Sequence, residues 1–379
     1  MIFTLEALNA EEGDALLLHY GKPSDPKLIV IDGGPPGVFK KTMLPRLESL
    51  RDSRAAVDPL PIRLLMVSHI DKDHVAGVLE LVKRMAQADE DGEQPAFDVT
   101  TLWHNSFDDL VKKVKVADLD QLALQPKARG RLSPASLEVA GTVPMGRELR
   151  SAAEKLGFNF NRGFKELVVS PAKGKKSVAL GEGLSFLVVG PRQAQLDALQ
   201  NEWNAQIAKL KKAGKLKPAA LSLVAAEFVD KSVSNLSSIV VLAQLGKKRM
   251  LLTGDARGDF VLEGLRASGL LKKKPLHLDI FKLPHHGSIR NAAAEMFESI
   301  SADHYVVSAN GKHGNPDADT LELLIDSRGQ DAYTIHLTNR DPKSVKFLEK
   351  AKKGRKFKVI FRDPKQFSVK VELGEAMPD

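Results

Sequence analysis

The chain has 379 residues, of which 43% are hydrophobic, so it is long enough to bury a sizeable core in a single large α/β domain. It contains no cysteine, which excludes disulfides and thiolate metal sites and leaves His, Asp and Glu as the side chains that could hold a metal. The 56 Lys and Arg against 48 Asp and Glu give a net charge of +8, which fits a polyanionic partner such as nucleic acid as well as it fits an ordinary basic surface.

Short apolar segments bounded by Gly, Pro and Asp predict strands along the first hundred residues. These segments are residues 2–8, 15–20, 28–31, 62–67 and 97–103. The third of them ends in Asp32-Gly33-Gly34, where the glycines allow a sharp turn. A helix is predicted in the 40s, and apolar residues at helical spacing from Val75 to Val82 predict a second one. The acidic and polar residues 87–95 predict a loop.

The rest of the chain continues the mixture of strands and helices. Residues 110–180 are rich in Lys, Ala, Ser and Pro and predict an insertion of helices and loops, followed by a strand at 184–189 and a helix at about 192–212. Later strands are predicted at residues 238–242, 250–253, 278–283, 305–308, 333–337, 358–361 and 368–373. This interleaving predicts one domain over residues 1–379, with two layered sheets covered by helices.

The sequence gives no sign of a membrane segment. No uninterrupted apolar run approaches the length that spans a bilayer. The N-terminal stretch MIFTLEALNAEEGD carries acids where a signal peptide needs basic residues. We therefore expect a soluble, cytoplasmic protein without a membrane partner.

The stretch VSHIDKDHVAG, residues 67–77, places four possible metal ligands between a strand and a helix. His69 and Asp71 alternate, so in an extended segment both point to one side. Asp73 and His74 open the next helix and could face a second metal position nearby. The structural alternative is that Asp73 caps the helix, but a cap explains one acid and neither histidine. His and carboxylate together suit zinc or manganese.

Two later stretches carry further candidate ligands at strand ends. Asp255 ends a strand in LLTGDA, and His285 and His286 follow another in LPHHGS. Alone, Asp255 reads as a turn residue and the histidines as a packed loop pair. Together with the first loop they offer a carboxylate that can bridge two metals, and further imidazoles.

In this order the motifs resemble those of the metallo-β-lactamase-fold hydrolases, and most closely the hydrolase domain of the ComEC-type competence proteins. The matching residues are Glu12-Gly13-Asp14-Ala15, Asp32-Gly33-Gly34, Ser68 to His74, Asn235-Leu236-Ser237-Ser238, Thr253-Gly254-Asp255 and Pro284 to Ser288. The resemblance implies an αββα four-layer sandwich, with two mixed β-sheets flanked by helices. It also implies hydrolysis at two divalent metal ions, zinc in preference to manganese.

The same resemblance assigns roles to individual residues. It implies a complete metal site of Asp73, His74, Asp255 and His286, with Asp255 as the bridge. A second site would use His69 and Asp71. The middle His of the usual superfamily loop is Asp71 here, and no His follows the strand at 184–189, so this second site is short of a ligand that His104 or His313 could supply.

Three further roles follow from the resemblance. Asp73 could also steer the attacking hydroxide. His285 and His313 are candidates for proton transfer or charge stabilisation. Asp32 would hold a ligand His, or the loop, from outside the metal sites.

The composition also bears on the substrate. Basic runs at residues 173–176, 209–217, 272–274 and 350–358 favour a polyanion, although each alone reads as a solvated surface. With only 6% aromatic residues, contacts would go mainly to phosphates. The first hypothesis is therefore a metal-dependent phosphodiesterase or nuclease acting on DNA or RNA.

Two other hypotheses remain open. One is a hydrolase of a small ester, lactone or nucleotide on the same metals. The other is a partner-regulated module of a bacterial defence or stress system, which the short second site allows. Metal content would separate a binding module from the enzymes, and salt dependence would separate polymer from small substrates. The sequence does not indicate an oligomeric state.

Overall fold

Two mixed β-sheets, packed face to face, form the centre of the molecule. The computed structural model describes residues 1–54, 58–106, 109–110, 142–212 and 237–376. In spatial order, the first sheet contains β17 (Ser368–Glu372), β1 (Ile2–Leu8), β2 (Leu16–Lys22), β3 (Asp25–Ile31), β5 (Leu64–Val67), β7 (Thr101–His104) and β8 (Asn159–Phe160). The second contains β16 (Lys358–Phe361), β15 (Thr334–Leu337), β14 (Ile300–Val307), β13 (Leu276–Lys282), β12 (Lys248–Leu252), β11 (Val240–Leu245), β10 (Leu184–Gly190) and β9 (Lys176–Gly181).

Each sheet changes from antiparallel to parallel pairing part-way across. In the first, strands β17, β1, β2 and β3 are antiparallel neighbours, and β5, β7 and β8 continue parallel to β3. In the second, β9 to β12 are antiparallel, and β12 to β16 are parallel. The carboxyl ends of the parallel strands are therefore available at one end of each sheet, where α/β folds usually place their sites.

Helices cover the outer face of both sheets. The described helices are α1 (Leu44–Ser53), α2 (Lys72–Glu90), α3 (Thr142–Lys155), α4 (Gln193–Lys212), α5 (Gly258–Ala267), α6 (Ala294–Ser299), α7 (Ala318–Arg328) and α8 (Pro342–Ala351). One apolar cluster joins the first sheet to α1, α2 and α3, a second joins the two sheets, and a third joins the second sheet to α5, α6, α7 and α8. The order of layers is αββα, so the predicted fold class is confirmed.

Strand β2 shows why continuous apolar runs form these sheets. Leu16, Leu18 and Tyr20 point into the cluster between the sheets, whereas Leu17 points into the cluster under the helices. A strand buried on both faces needs apolar residues at every position rather than at alternate ones. The same pattern recurs in β3.

Several predicted boundaries are wrong. The run 62–67 is not one strand: β4 (Leu60–Ile62) ends before the exposed Arg63, and only then does β5 begin. The run 97–103 also divides, into β6 (Phe97–Val99), which pairs with β4, and β7. Helix α2 continues to Glu90 through the start of the predicted acidic loop, because Gln, Ala and Glu are good helix formers.

The segment predicted as a helical and loop insertion, residues 110–180, is described only in part. Residues 111–141 lie outside the described ranges. The described remainder contains α3 together with β8 and β9, which extend one sheet each. Of the described helices, none combines the length and the apolar character that crossing a bilayer requires.

Candidate metal centre

The candidate side chains meet at one end of the sandwich, where strands of both sheets end. Asp32 follows β3 and His69 follows β5 in the first sheet. Asp255 follows β12, and His286 follows β13, in the second. The two sheets therefore bring together residues more than 200 positions apart in the sequence.

The loop after β5 delivers its acids and histidines through the start of α2. Asp71 occupies the N-cap position with an extended backbone, but its side chain makes no capping hydrogen bond. Asp73 and His74 lie in the first turn of the helix. The capping alternative for Asp73 therefore does not describe this loop, and neither acid is used as a cap.

Glycines let two other loops approach the first turns of α2. A Cβ atom on Gly13 would lie 2.1 Å from the carbonyl oxygen of Asp73, and one on Gly77 would lie 2.0 Å from that of Gly33. Both distances are below any normal contact, so these positions require glycine. The loop after β1 and the turn after β3 are thereby fixed against the helix that carries His74.

Four candidate ligands form one compact set, called here the ligand group: Asp73, His74, Asp255 and His286. One donor atom from each lies within 4.8 Å of all the others. Nε2 of His74 is 3.2 Å from Oδ1 of Asp255, and Nε2 of His286 is 3.5 Å from Oδ2 of Asp255. Nε2 of His286 is also 3.3 Å from Oδ2 of Asp73.

The second ring nitrogen of each histidine in the group is held by a neighbour. Nδ1 of His74 donates to Oδ2 of Asp32 at 2.9 Å, and Nδ1 of His286 donates to the carbonyl oxygen of Ser308 at 3.0 Å. Asp32 also accepts from the Ser68 backbone N–H at 2.7 Å and from the Ser68 hydroxyl at 2.5 Å. These contacts fix both Nε2 atoms towards the centre of the group, as in protein sites where imidazole binds a metal.

Donor atoms at the centre of the group lack hydrogen-bond partners. Nε2 of His74, Nε2 of His286 and Oδ1 of Asp255 are buried and accept or donate no hydrogen bond within the described residues. A tetrahedral zinc ion with bonds of about 2.0–2.1 Å keeps its ligand atoms about 3.3 Å apart, close to the three distances above, whereas Nε2 of His74 is 4.0 Å from Oδ1 of Asp73. The donor set, its spacing and its unpaired atoms therefore fit a divalent cation.

Electrostatics within the ligand group point the same way. Burial opposes the charged form of every member, but the carboxylates of Asp255, Asp32 and Asp73 outweigh it and raise the pKa of His74 well above its usual value. Asp255 and Asp14 do the same for the pKa of His286. The two histidines in turn lower the pKa of Asp255. The group thus attracts positive charge, and a metal ion would displace the protons from both Nε2 atoms.

A buried ion pair supports the group, and the sequence analysis assigned its members no role. Asp14 and Lys282 are 1% and 0% exposed and contact each other directly. Oδ1 of Asp14 also lies 3.5 Å from Nδ1 of His286. Although burial raises the pKa of Asp14, Lys282 and His286 lower it to about 2. The sequence signal for this pair is Lys282, a charged residue at the end of an apolar strand and immediately before the histidine motif.

His285 stands apart from its neighbour in the sequence. Both histidines have left-handed backbones, with φ of 47° and 55°, which is a strained conformation for side chains other than glycine. His285 points towards solvent, with its side chain 33% exposed, and its Nε2 is 3.7 Å from Oδ2 of Asp255. Its Nδ1 contacts Oδ1 of Asn291 at 2.8 Å. Asn291, which the sequence analysis did not single out, therefore orients this ring.

His69 and Asp71 lie beside the ligand group without joining it. The two residues contact each other, because the backbone N–H of Asp71 donates to Nδ1 of His69 at 3.2 Å. The rings of His69 and His74 are 5.1 Å apart. Burial, together with Asp73 and Asp255, raises the pKa of Asp71 despite the opposing effect of His69. No set of three or more candidate ligands in the described ranges includes either residue.

The two histidines proposed to complete that site lie apart from the ligand group. His104 is buried at the end of β7, where its N–H donates to Asn161, and burial lowers its pKa to about 4. It belongs to none of the ligand sets among the described residues. His313 is exposed and lies on the wall of the cleft described next.

A cleft of about 1020 Å³ opens over the ligand group. Asp71, Asp73, Asp255 and His285 lie on its floor and walls. Lys41, Lys72 and Arg290 also line it, and none of them has an ion-pair partner within the part of the chain that the structure describes. The lining further includes the acids Glu11, Glu12 and Asp317. The cleft therefore combines a cation-attracting centre with basic side chains in its lining.

Comparisons with known proteins add little at this level of similarity. One matching solved structure is the metallo-beta-lactamase fold protein YhfI from Bacillus subtilis, with 10% sequence identity and a TM-score of 0.39, covering 98% of this chain and 99% of that one. No protein-family model and no curated protein matches the chain. With a TM-score below 0.5, the layer order and the ligand group remain the basis for interpretation.

Proposed function

We propose that the chain is a metal-dependent hydrolase of phosphodiesters, with a nucleic acid as substrate. The observation that supports this most strongly is the ligand group, whose unpaired donor atoms lie beneath a cleft lined by Asp73, Asp255 and several basic side chains. Zinc is the first choice of metal and manganese the second, because the donors are two imidazoles and two carboxylates.

In this proposal Asp73, His74, Asp255 and His286 hold the first ion. When bound, the ion supplies Lewis acidity towards a phosphoryl oxygen and a hydrolytic nucleophile near neutral pH. A second ion would draw on His69 and Asp71, with Asp255 as the shared carboxylate. Asp32 and the Ser308 carbonyl keep the two ligand imidazoles in one tautomer, with Nε2 directed at the centre.

His285 is the proposed proton-transfer residue. The side-chain amide of Asn291 donates to the backbone oxygen of Asp255 at 2.8 Å, which leaves its oxygen to accept from Nδ1 of His285. In the neutral ring the lone pair is then on Nε2, which faces the cleft beside Asp255. That nitrogen can take a proton from the nucleophile or, once protonated, give one to the leaving oxygen.

Three unpaired basic side chains in the cleft lining support a phosphodiester rather than a neutral ester. Lys41, Lys72 and Arg290 are placed to bind phosphate oxygens, and Arg290 can do so with two parallel hydrogen bonds. His313, on the same wall, would contact a phosphate or the leaving group. These side chains would position the backbone of a strand and carry no base specificity.

The test is a cleavage assay with metal-stripped protein and labelled single- and double-stranded DNA and RNA, with Zn²⁺ or Mn²⁺ added back. We expect metal-dependent cleavage that Asp255→Ala abolishes and that His285→Ala reduces by about 100-fold or more. The matched control is Asp279→Ala, an acid on β13 that is outside the ligand group.

Two results would count against the proposal. If folded, metal-loaded protein cleaves none of the polymers, the nuclease part fails, and assays on cyclic nucleotides and small esters would decide the substrate. If cleavage survives Asp255→Ala, the reaction does not occur at this centre.

A further inference from the structure

The positive charge of this chain is concentrated in one segment. Residues 340–370 contain twelve Lys and Arg and three Asp and Glu, a net charge of +9, whereas the whole chain carries +8. The remaining 348 residues are therefore nearly neutral. The modest overall surplus conceals a strongly basic region.

Helix α8, within this segment, presents lysines on one face. Lys343, Lys346 and Lys350 recur at intervals of three and four residues and are all exposed, while Leu348 faces the core. None of the three lysines has an ion-pair partner in the described ranges. At 1.5 Å per residue they form a line of charge about 10 Å long.

This line begins next to the candidate metal centre. A Cβ on Gly311 would lie 2.5 Å from Oδ1 of Asp341, the residue that caps α8, so the start of the helix contacts the loop from Asn310 to Asn315. That loop forms one wall of the cleft over the ligand group. The exposed Arg340 lies between the loop and the helix in the sequence. Basic side chains thus begin beside one wall of the cleft and continue along α8.

The same segment exposes apolar side chains. Of three large hydrophobic residues that are exposed within the described ranges, Ile360 at 44% and Phe367 at 38% both lie in it. Phe367 is held near the cleft, because its carbonyl oxygen accepts from the N–H of Asn9, in the loop that also carries cleft residues Glu11 and Glu12. An exposed aromatic ring among basic side chains is the combination on which single-stranded nucleic acids stack.

We propose that residues 340–370 form a binding surface for single-stranded nucleic acid, which guides the strand into the cleft. The lysines of α8 and Arg340 would contact successive phosphates, and Phe367 would stack on a base close to the cleft. This inference rests on the proposed function, because it assumes that the bound strand leads to the ligand group. Binding to the surface itself requires no metal.

The test measures binding separately from cleavage. Full-length Asp255→Ala protein in EDTA is titrated into a fluorescently labelled 30-nucleotide single strand, and anisotropy gives Kd at several salt concentrations. Adding the triple substitution Lys343→Gln, Lys346→Gln and Lys350→Gln should weaken binding about tenfold or more. It should also lower the slope of log Kd against log salt by about 2, because each phosphate contact to a single strand contributes about 0.7.

A matched control removes the same charge elsewhere. Lys272, Lys273 and Lys274 are exposed and precede β13, at the end of that strand opposite His286. Their replacement by Gln should change neither Kd nor the salt slope. If both triple variants weaken binding equally, the surface is not specific and the proposal is wrong.

Phe367 separates stacking from charge. Phe367→Ala should weaken single-strand binding about tenfold without changing the salt slope, and Phe367→Tyr should restore it. Equal affinity of wild type, Phe367→Ala and the α8 triple variant for the strand would overturn the proposal.

The remaining alternative is an anionic membrane surface, which basic and apolar side chains would also bind. Cosedimentation with phosphatidylserine vesicles tests it: loss of vesicle binding in the triple variant, with strand binding retained, would assign the surface to lipid and contradict the proposal.

Failure of the hydrolase proposal would give a different result. In that case the strand binds through α8 in EDTA, yet metal-loaded wild type cleaves nothing. Conversely, hydrolysis of a small phosphodiester by the triple variant at the wild-type rate would confirm that its defect lies in binding.

Discussion

Two buried clusters of acids and histidines in the described part of the chain differ in how completely their polar atoms are paired. Glu6 on β1 contacts His19 at 2.9 Å and accepts from Arg46 at 2.7 Å and from Ser368 at 2.5 Å. No side-chain oxygen or nitrogen of Glu6 or His19 is among the unpaired buried atoms of the described chain. In the ligand group, by contrast, three donor atoms at the centre make no hydrogen bond within the described residues.

The difference separates buried charge that is fully paired from buried charge that is not. A buried polar group without a partner costs stability, so native proteins pair nearly all of them. The cluster around Glu6 is closed and needs nothing further. The ligand group would be completed by a cation, and its outer atoms are held by Asp32 and the Ser308 carbonyl.

The largest effect on stability should come from removing the carboxylate of the cluster around Glu6. Glu6→Ala leaves His19 and the buried part of Arg46 without their carboxylate, so we expect the free energy of unfolding to fall by about 3–5 kcal/mol. Urea denaturation measures this loss. Zinc affinity should not change, because the cluster is separate from the ligand group. A loss of less than about 1 kcal/mol would mean that the cluster around Glu6 contributes little to the stability of the fold.

Binding of zinc to the ligand group should have a comparable effect on stability, but only when the metal is present. Zinc at about 1,000 times its Kd should stabilise the wild type by about 4 kcal/mol, and EDTA should reverse it. In Asp255→Asn most of this gain should disappear, since the shared carboxylate is lost. Thermal unfolding with and without metal gives the comparison. An equal gain in both proteins would place the ion elsewhere.

Removing the carboxylate that orients His74 in the ligand group should have a smaller effect. Asp32→Asn keeps an acceptor for Ser68 but removes the carboxylate that holds Nδ1 of His74, so zinc affinity should fall about 10- to 100-fold. Asp25→Asn is the control, because it changes an acid at the opposite end of the same strand. Competition with a chromophoric chelator measures both. Unchanged affinity in Asp32→Asn would show that packing alone orients His74.

The smallest expected effect concerns His104, a buried histidine that forms no ion pair with a carboxylate in the described residues. Burial lowers its pKa to about 4, below the value of about 6.5 in the unfolded chain. Between these values the unfolded state binds more protons, so stability must fall as the pH falls. From pH 6.5 to 5.5 the His104 contribution is about 1 kcal/mol. His104→Gln should remove that part of the pH dependence, and a denaturation series that is equally steep in both proteins would refute it.

The sequence predicted much of this site because its ligands follow strand ends in short motifs. His74, Asp255 and His286 each belong to a recognisable stretch, and the αββα layers follow from strands that are apolar at most positions on both faces. The pairing of Asp14 with Lys282 could not be read locally, since it joins residues 268 positions apart. The division at Arg63 was missed because one exposed charge in an apolar run does not by itself show that a strand ends.

The weaker part of the prediction was the second metal position. Sequence spacing placed His69 and Asp71 on one side, and the structure keeps them in contact with each other. Spacing could not show which distant histidine would complete the set, because that depends on how β7 and the loop after β14 pack. His104 and His313 both remain candidates only by residue type.

The most direct test of the central claim is the metal content of the folded protein. Wild type and Asp255→Ala are loaded with Zn²⁺, passed through a desalting column and measured by elemental mass spectrometry, with circular dichroism to confirm folding. We expect at least one tightly held zinc ion per wild-type chain and its loss in the variant. A folded wild type that retains no zinc or manganese, or a variant that retains as much as the wild type, would contradict the assignment of the ligand group as a metal centre.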